Sequence, residues 1–233
     1  MTGGGRGFGR AIAETLAALG ASVVIASRNA PELDDVANGI KKQGGKVLAQ
    51  TADVADERQV QELVLAAERW VGPPSVLVNN AGVLDPVGPL AETSGASWLR
   101  NIAINVGGTY LVTRAVLPGM LDRDQGRIIN ISSGAADRAS AGWSAYCAAK
   151  AAVDQLTRVL ALEMEGSGVT VCAFHPWHLD AAMQERSGES GTRDPRDPAR
   201  FVAYLCLPAT QRNGAILEVN DPDIAREADA ALA

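Results

Sequence analysis

Tyr146 and Lys150 stand four residues apart in the run Ser144-Ala145-Tyr146-Cys147-Ala148-Ala149-Lys150, within an Ala-rich stretch whose pattern predicts a helix. On a helix that spacing puts both side chains on one face, where a phenol and an ammonium reach one ligand together. An isolated phenol, with a pKa of about 10, is a poor acid at neutral pH. A cation held a few ångströms away favours the phenolate and lowers that value, which suits Tyr146 to general acid–base catalysis. Ser133 lies thirteen residues before Tyr146, just past the apolar run Arg127-Ile128-Ile129-Asn130-Ile131. That run reads as a buried strand, so Ser133 sits at a strand's C-terminal end with its hydroxyl available to the same substrate oxygen. An incidental Tyr–Lys pair on a solvated helix face is the competing reading. Lysine usage argues against it: the chain has four lysines, at 41, 42, 46 and 150, beside seventeen arginines.

The elements that must position these groups alternate along the chain. A glycine-rich turn, Thr2-Gly3-Gly4-Gly5-Arg6-Gly7-Phe8-Gly9, precedes a helical pattern over 11–19. Glycines before a helix allow close backbone approach to a phosphate, which the helix amino end then stabilises. The apolar run Ser22–Ala26 predicts a strand that ends in Ser27-Arg28, about twenty residues past the glycines, where a dinucleotide fold reads the adenosine ribose. No acid stands there, and Arg28, with Arg6, is placed to hold a 2′-phosphate. Further strands are expected at 46–51, 76–78, 127–131, 169–174 and 215–219, with helices at 31–43, 57–71, 95–120, 143–165 and 199–207. Residues 184–199, rich in Ser, Gly, Pro and charge, read as a mobile substrate loop, and the acidic, Ala-rich end from 221 to 233 shows no docking pattern. No linker divides the 233 residues, so the expectation is a single domain over 1–233. It is an α/β fold: a doubly wound, Rossmann-like parallel sheet with helices on both faces.

Composition narrows the function classes. A net charge of −6 without any basic run argues against nucleic acid and anionic membrane as partners. No apolar run is long enough to span a bilayer. Cys147, Cys172 and Cys206 are odd in number and widely spaced, which fits free thiols in a reducing cytoplasm. With two histidines and no paired cysteines, no protein-bound metal is expected.

Taken together, these motifs resemble the short-chain dehydrogenase/reductase family in its compact single-domain form. The glycine turn matches the family's TGxxxGxG, and Asp53-Val54, Asn79-Asn80-Ala81-Gly82, Asn105, Ser133, Tyr146 and Lys150 match its other markers in order. The resemblance implies an oxidoreductase that interconverts a carbonyl and an alcohol by hydride transfer with NADP(H). It makes Tyr146 the acid/base, with Lys150 binding the nicotinamide ribose and lowering the phenol's pKa. Ser133 would orient the carbonyl, and Asn105 would hold a proton-relay water. The implied cofactor residues are Gly3, Arg6, Gly7, Phe8, Gly9, Arg28, Asp53, Val54, Asn79, Ala81, Gly82, Tyr146, Lys150, Pro176 and His178. Homodimers or homotetramers built on the helices at 95–120 and 143–165 are implied too, with Ala148, Ala149 and Ala152 allowing close packing.

Three departures support a second reading, a non-catalytic binding or scaffold protein with impaired cofactor binding. Met1 comes almost directly before the glycines, where the family has its first strand. A chain starting there is expected to leave the neighbouring strand an unpaired edge and the glycine turn loose. Trp177 stands where the family has glycine after Pro176, and Ala181 where a threonine is usual, with His178 as its substitute.

Overall fold

The computed structural model describes residues 1–176 and 194–232. Trp177, His178, Ala181 and most of the expected 184–199 loop lie outside the described residues.

The described residues form six parallel strands: β1 (Ser22–Ser27), β2 (Lys46–Thr51), β3 (Val76–Asn79), β4 (Gly126–Ile131), β5 (Val169–His175) and β6 (Ile216–Glu218). β1 pairs with β2, and β3-β4-β5-β6 form the second ladder. Between the two ladders lies Met1-Thr2. The Ala26 amide donates to Met1 O at 3.1 Å, the Thr2 amide donates to Val78 O at 3.0 Å, and Thr2 makes a parallel bridge with Ala26. Two residues therefore link β1 to β3 at the C-terminal end of the sheet. The edge expected to be unpaired is closed at the end that faces the glycine turn.

Helices α1 (Gly7–Ala18), α2 (Ala30–Lys42) and α3 (Glu57–Val71) join the first strands. α2 and α3 are capped by Asn29 and Asp56, whose side chains accept from the amides of Glu32 and Gln59. The helix expected over 95–120 is three pieces: α4 (Gly95–Ile102), a π turn (Ala103–Gly107) and α5 (Gly108–Leu121). Single π turns recur at functional sites, and this one carries Asn105. It ends where α5 approaches Val54, so closely that a Cβ on Gly108 would lie 2.5 Å from the valine Cγ2. α6 (Ser144–Glu163) follows β4 and buries Tyr146, Lys150, Val153, Asp154, Thr157 and Leu160 on one face. α7 (Arg196–Leu205) takes up the last part of the segment expected to be loop.

The C-terminal segment corrects the expectation of an undocked tail. Pro222–Leu232 is a helix, α8, with Ile224 and Ala228 fully buried in the main core beside Phe174, Phe201 and Val202. An i, i+4 pair is the narrowest apolar stripe a helix can bury, and alanine makes it faint in sequence. Full burial of Ile224 alone is worth about 1.5–3 kcal/mol, and Arg200–Asp229 and Arg212–Glu227 ion pairs add to it at the surface.

Candidate active site and cofactor cleft

The C-terminal ends of the strands open into one cleft of about 440 Å³. Gly3, Gly5, Arg6, Phe8 and Gly9 line it from the glycine turn, and Ser27 and Arg28 from the end of β1. Asp53-Val54 enter from β2, Asn80 to Leu84 from β3, Ile131 to Ser133 from β4 and Pro176 from β5. Tyr146 and Lys150 close the far end from α6. Ligands bind in this position in doubly wound sheets.

The glycine turn is packed rather than loose, which corrects the second half of the N-terminal expectation. Thr2 Oγ1 accepts from the amides of Asn80 and Ala81, both at 3.1 Å, and Asn80 Nδ2 donates to the carbonyls of Thr2 and Gly3. A Cβ on Gly9 would meet Gly3 O at 1.9 Å, and Gly3 has a φ of +66°. These contacts require glycine at both places. α1 has no side-chain cap at Arg6, unlike α2 and α3, so its first amides remain for an anion. A dinucleotide pyrophosphate fits this cradle.

At the other end each group is tied down. Lys150 is buried, and its Nζ donates to Ile131 O at 2.8 Å. Burial pushes its pKa down to about 8, against a smaller upward pull from Asp154. The Tyr146 ring has Lys150 Nζ 5.5 Å from its centroid and meets Trp143 edge-on at 5.8 Å. Ser133 caps a short 3-10 turn (Gly134–Ala136) by accepting from the Ala135 amide. Asn105 Nδ2 donates to Val83 O and Asn101 Oδ1, while its Oδ1 accepts from the Val83 amide. A Cβ on Gly82 would lie 2.7 Å from Asn105 Oδ1 and 3.7 Å from Lys150 Nζ, so Gly82 is where these two residues converge. Trp98 on α4 donates its indole N–H to Ser144 at 3.2 Å and fixes the start of α6.

Two expected cofactor residues do not line the cleft. Gly7 opens α1 at a φ of +52° and turns the chain into the helix. Asn79 is buried: its Nδ2 donates to Thr113 Oγ1 and Asn130 Oδ1, both at 2.9 Å, and Asn130 donates on to Thr157. That ladder holds α5 and α6 to the sheet through β3 and β4. Asp53 does reach the cleft, where it pairs with Arg100 and accepts from the Ala55 amide. Burial opposes its charge, but those two donors, helped by Arg28, hold its carboxyl below the ordinary value.

Sequence reasoning missed Glu32. It lines the same end as Arg28, with its Cβ 3.2 Å from an ideal Cβ at Gly5. The sequence signal was available, an acid in the first turn of the helix after β1. His175 was missed as well. It is 3% exposed and its Nε2 lies 2.9 Å from Asp154 Oδ2, directly before Pro176.

The fold and the site together define a family. The model of the short chain dehydrogenase family matches residues 1–191, and the chain belongs to it. It is 39% identical to a short-chain type dehydrogenase/reductase of Picea abies, over 94% of this chain and 89% of the relative. It is 36% identical to the gluconate 5-dehydrogenase of Gluconobacter oxydans, over 80% of this chain and 72% of that one. A short chain dehydrogenase of Pseudocercospora fijiensis is 35% identical over 78% of this chain, which spans 60% of the fungal protein. Levodione reductase superposes with a TM-score of 0.88 at 27% identity, covering 96% of both chains. An actinorhodin polyketide ketoreductase variant with NADPH gives 0.87 at 30% identity, covering 94% of this chain and 93% of that one. The family is one of oxidoreductases that use nicotinamide cofactors and act on small molecules.

Proposed function

We propose that the protein interconverts a carbonyl and an alcohol with NADP(H), with Tyr146 as the acid/base. The carrying observation is the convergence of Tyr146, Lys150 and Ser133 at the end of one cleft, with Asn105 buried behind Gly82 there, and an uncapped helix behind a glycine turn at the other end.

Gly3, Arg6, Phe8 and Gly9 would hold the pyrophosphate, Arg28 and Arg6 the 2′-phosphate, and Asp53-Val54 the adenine side. Ala81 and Gly82 would border the nicotinamide riboside, with Pro176 beyond it. NADP(H), when bound, supplies or accepts the hydride. In the reductive direction Ser133 Oγ–H donates to the carbonyl oxygen and Tyr146 delivers its phenolic proton there. Lys150 favours the resulting phenolate, because a buried cation nearby lowers the cost of that charge. Asn105, held on the π turn, would offer the spare acceptor capacity of its Oδ1, beside Gly82 and Lys150, to a water that returns the proton. Arg6 and Arg28 make no side-chain hydrogen bond or ion pair among the described residues, which supports NADP(H). Glu32 favours NAD(H) instead, so the choice is put to titration.

A cytoplasmic homodimer or homotetramer completes the reading. Among the described residues no helix is long and apolar enough to cross a membrane, and the three cysteines are free. Leu99, Tyr110, Val159 and Leu162 stand exposed on α4, α5 and α6, as an oligomer face requires. Ala149 does not belong to it, since it is fully buried inside, which leaves Ala148 and Ala152 outward.

The test is a thermal melt with each dinucleotide, followed by NADPH consumption against a carbonyl panel. Ligand that binds the folded state raises the melting temperature. A rise with NADPH and turnover of at least one carbonyl are expected. A melt unmoved by both dinucleotides would favour the non-catalytic reading.

A further inference from the structure

Asp154 and His175 form a buried polar pair that the proposed chemistry does not use. Both side chains are 3% exposed, and the two atoms in contact are 2.9 Å apart. A carboxylate only accepts, so His175 Nε2–H donates to Asp154 Oδ2. Among the described residues Asp154 Oδ1 and His175 Nδ1 have no hydrogen-bond partner. One bond from a histidine does not satisfy a carboxylate with two oxygens, and a buried charge left in that state is costly unless another charge compensates it.

The helix supplies that charge. Asp154 follows Lys150 by one turn of α6, and both are on the buried face. Lys150 is likewise incompletely matched: its ammonium has three donors, and Ile131 O takes one. We propose that Asp154, held in place by His175, is the buried counter-charge of Lys150 and keeps its ammonium protonated beneath the cleft. Asp154 and His175 are then positioning residues rather than catalytic ones.

The other charged groups around Lys150 do not do this. On α6 itself the other titratable neighbours are the Tyr146 phenol and the Cys147 thiol, which donates to Arg138 O. From β5 there is His175, and from the turn after Ser133 there is Asp137, whose carboxylate lies within 4.8 Å of the pair but is exposed to water. On β4, Arg127 is at the strand's opposite end, bonded to Thr170 and the carbonyls of Pro208 and Thr210. From α4, Arg100 is taken by Asp53. The balance of burial against Asp154 leaves the Lys150 pKa at about 8.

The proposal shares Lys150 with the oxidoreductase reading, so its test reads a proton and not turnover. The chain's other three lysines, Lys41, Lys42 and Lys46, are exposed on α2 and β2. Protein labelled with 13C at lysine Cε therefore gives four side-chain signals, and Lys150→Met identifies the fourth by its loss. The Lys150 midpoint, at about 8 in the parent, should fall by at least about half a unit in Asp154→Asn, a threefold loss of proton affinity. The sign separates the roles. If Asp154 merely packed α6 against β5, its loss would admit water and move the midpoint up towards the free-lysine value. A midpoint that rises, or falls by less than that half unit, overturns the proposal. Asp154→Ser, which also keeps an acceptor for His175, is read by the same criterion if the asparagine variant does not fold.

Discussion

The two ends of the cleft are built by opposite means. At the adenosine end Arg6 and Arg28 stand in water, Asp53 is only partly buried, and recognition is left to side chains that the fold does not otherwise need. At the reacting end Tyr146, Lys150 and Asn105 are buried, and Lys150 and Asn105 are bonded to backbone carbonyls that are part of the sheet or its loops. Behind them the ladder Asn79–Asn130–Thr157 ties α5 and α6 to the strands. The difference suits the work proposed for each end. Proton transfer needs groups held near the productive geometry in a place of low dielectric, whereas a phosphate needs accessible cations. Substitutions at the reacting end should therefore cost both function and fold, and those at the adenosine end affinity alone.

The largest effect is expected at Tyr146. Tyr146→Phe removes the titrating oxygen and leaves the ring against Trp143, so turnover should fall by about 10²–10⁴-fold while dinucleotide binding by fluorescence stays within about twofold. Turnover at the parent's level would sink the acid/base assignment and with it the idea that this end is the chemical one. Asn79→Ala comes next and separates fold from site. It takes the shared donor away from Thr113 Oγ1 and Asn130 Oδ1 in the core and should cost about 1–3 kcal/mol of stability. Denaturant unfolding reads that loss. NADPH affinity, measured where the variant is folded, should stay within about threefold. A larger fall in affinity would return Asn79 to the cofactor residues.

How much of this was readable in the sequence differs between the ends in the same way. The meeting of Tyr146, Lys150, Ser133 and the glycine turn at one cleft was legible because the chemistry proposed for them depends on residue type at fixed local spacing. The doubly wound sheet was legible from alternating apolar runs. Contacts between distant segments were not. The Asn79 ladder joins residues 51 and 27 positions apart, and nothing local marks an asparagine as core rather than site. The seating of Thr2 between Ala26 and Asn80 is likewise long-range, which is why two residues looked too few to anchor a turn. Docking of α8 rests on Ile224 and Ala228, a stripe too narrow to outweigh an acidic, Ala-rich composition. The break of the 95–121 helix at a π turn, just before the close approach of Gly108 to Val54, has no local mark in the sequence.

The smallest effect sharpens the comparison most, because it asks whether the adenosine end acts alone. Arg28 is exposed and Glu32 lines the cleft beside it, so a 2′-phosphate would gain one cation and meet one anion. A charge-assisted contact in water is worth only about 1.5 kcal/mol, so Arg28→Asp should weaken NADPH binding by about tenfold. NADH, with a free hydroxyl at that position, should change by less than about twofold. Glu32→Gln should act in reverse, tightening NADPH and leaving NADH nearly unchanged. Both effects should shrink as salt rises, since exposed charges are screened over about 10 Å at 0.1 M. Melting temperatures without ligand should match the parent's, because neither side chain is part of the core. If Arg28→Asp weakens NADH as much as NADPH, the arginine serves the whole dinucleotide and the 2′-phosphate reading fails. If it lowers the unliganded melting temperature by several degrees, the adenosine end is structural too, and the division between the two ends is wrong.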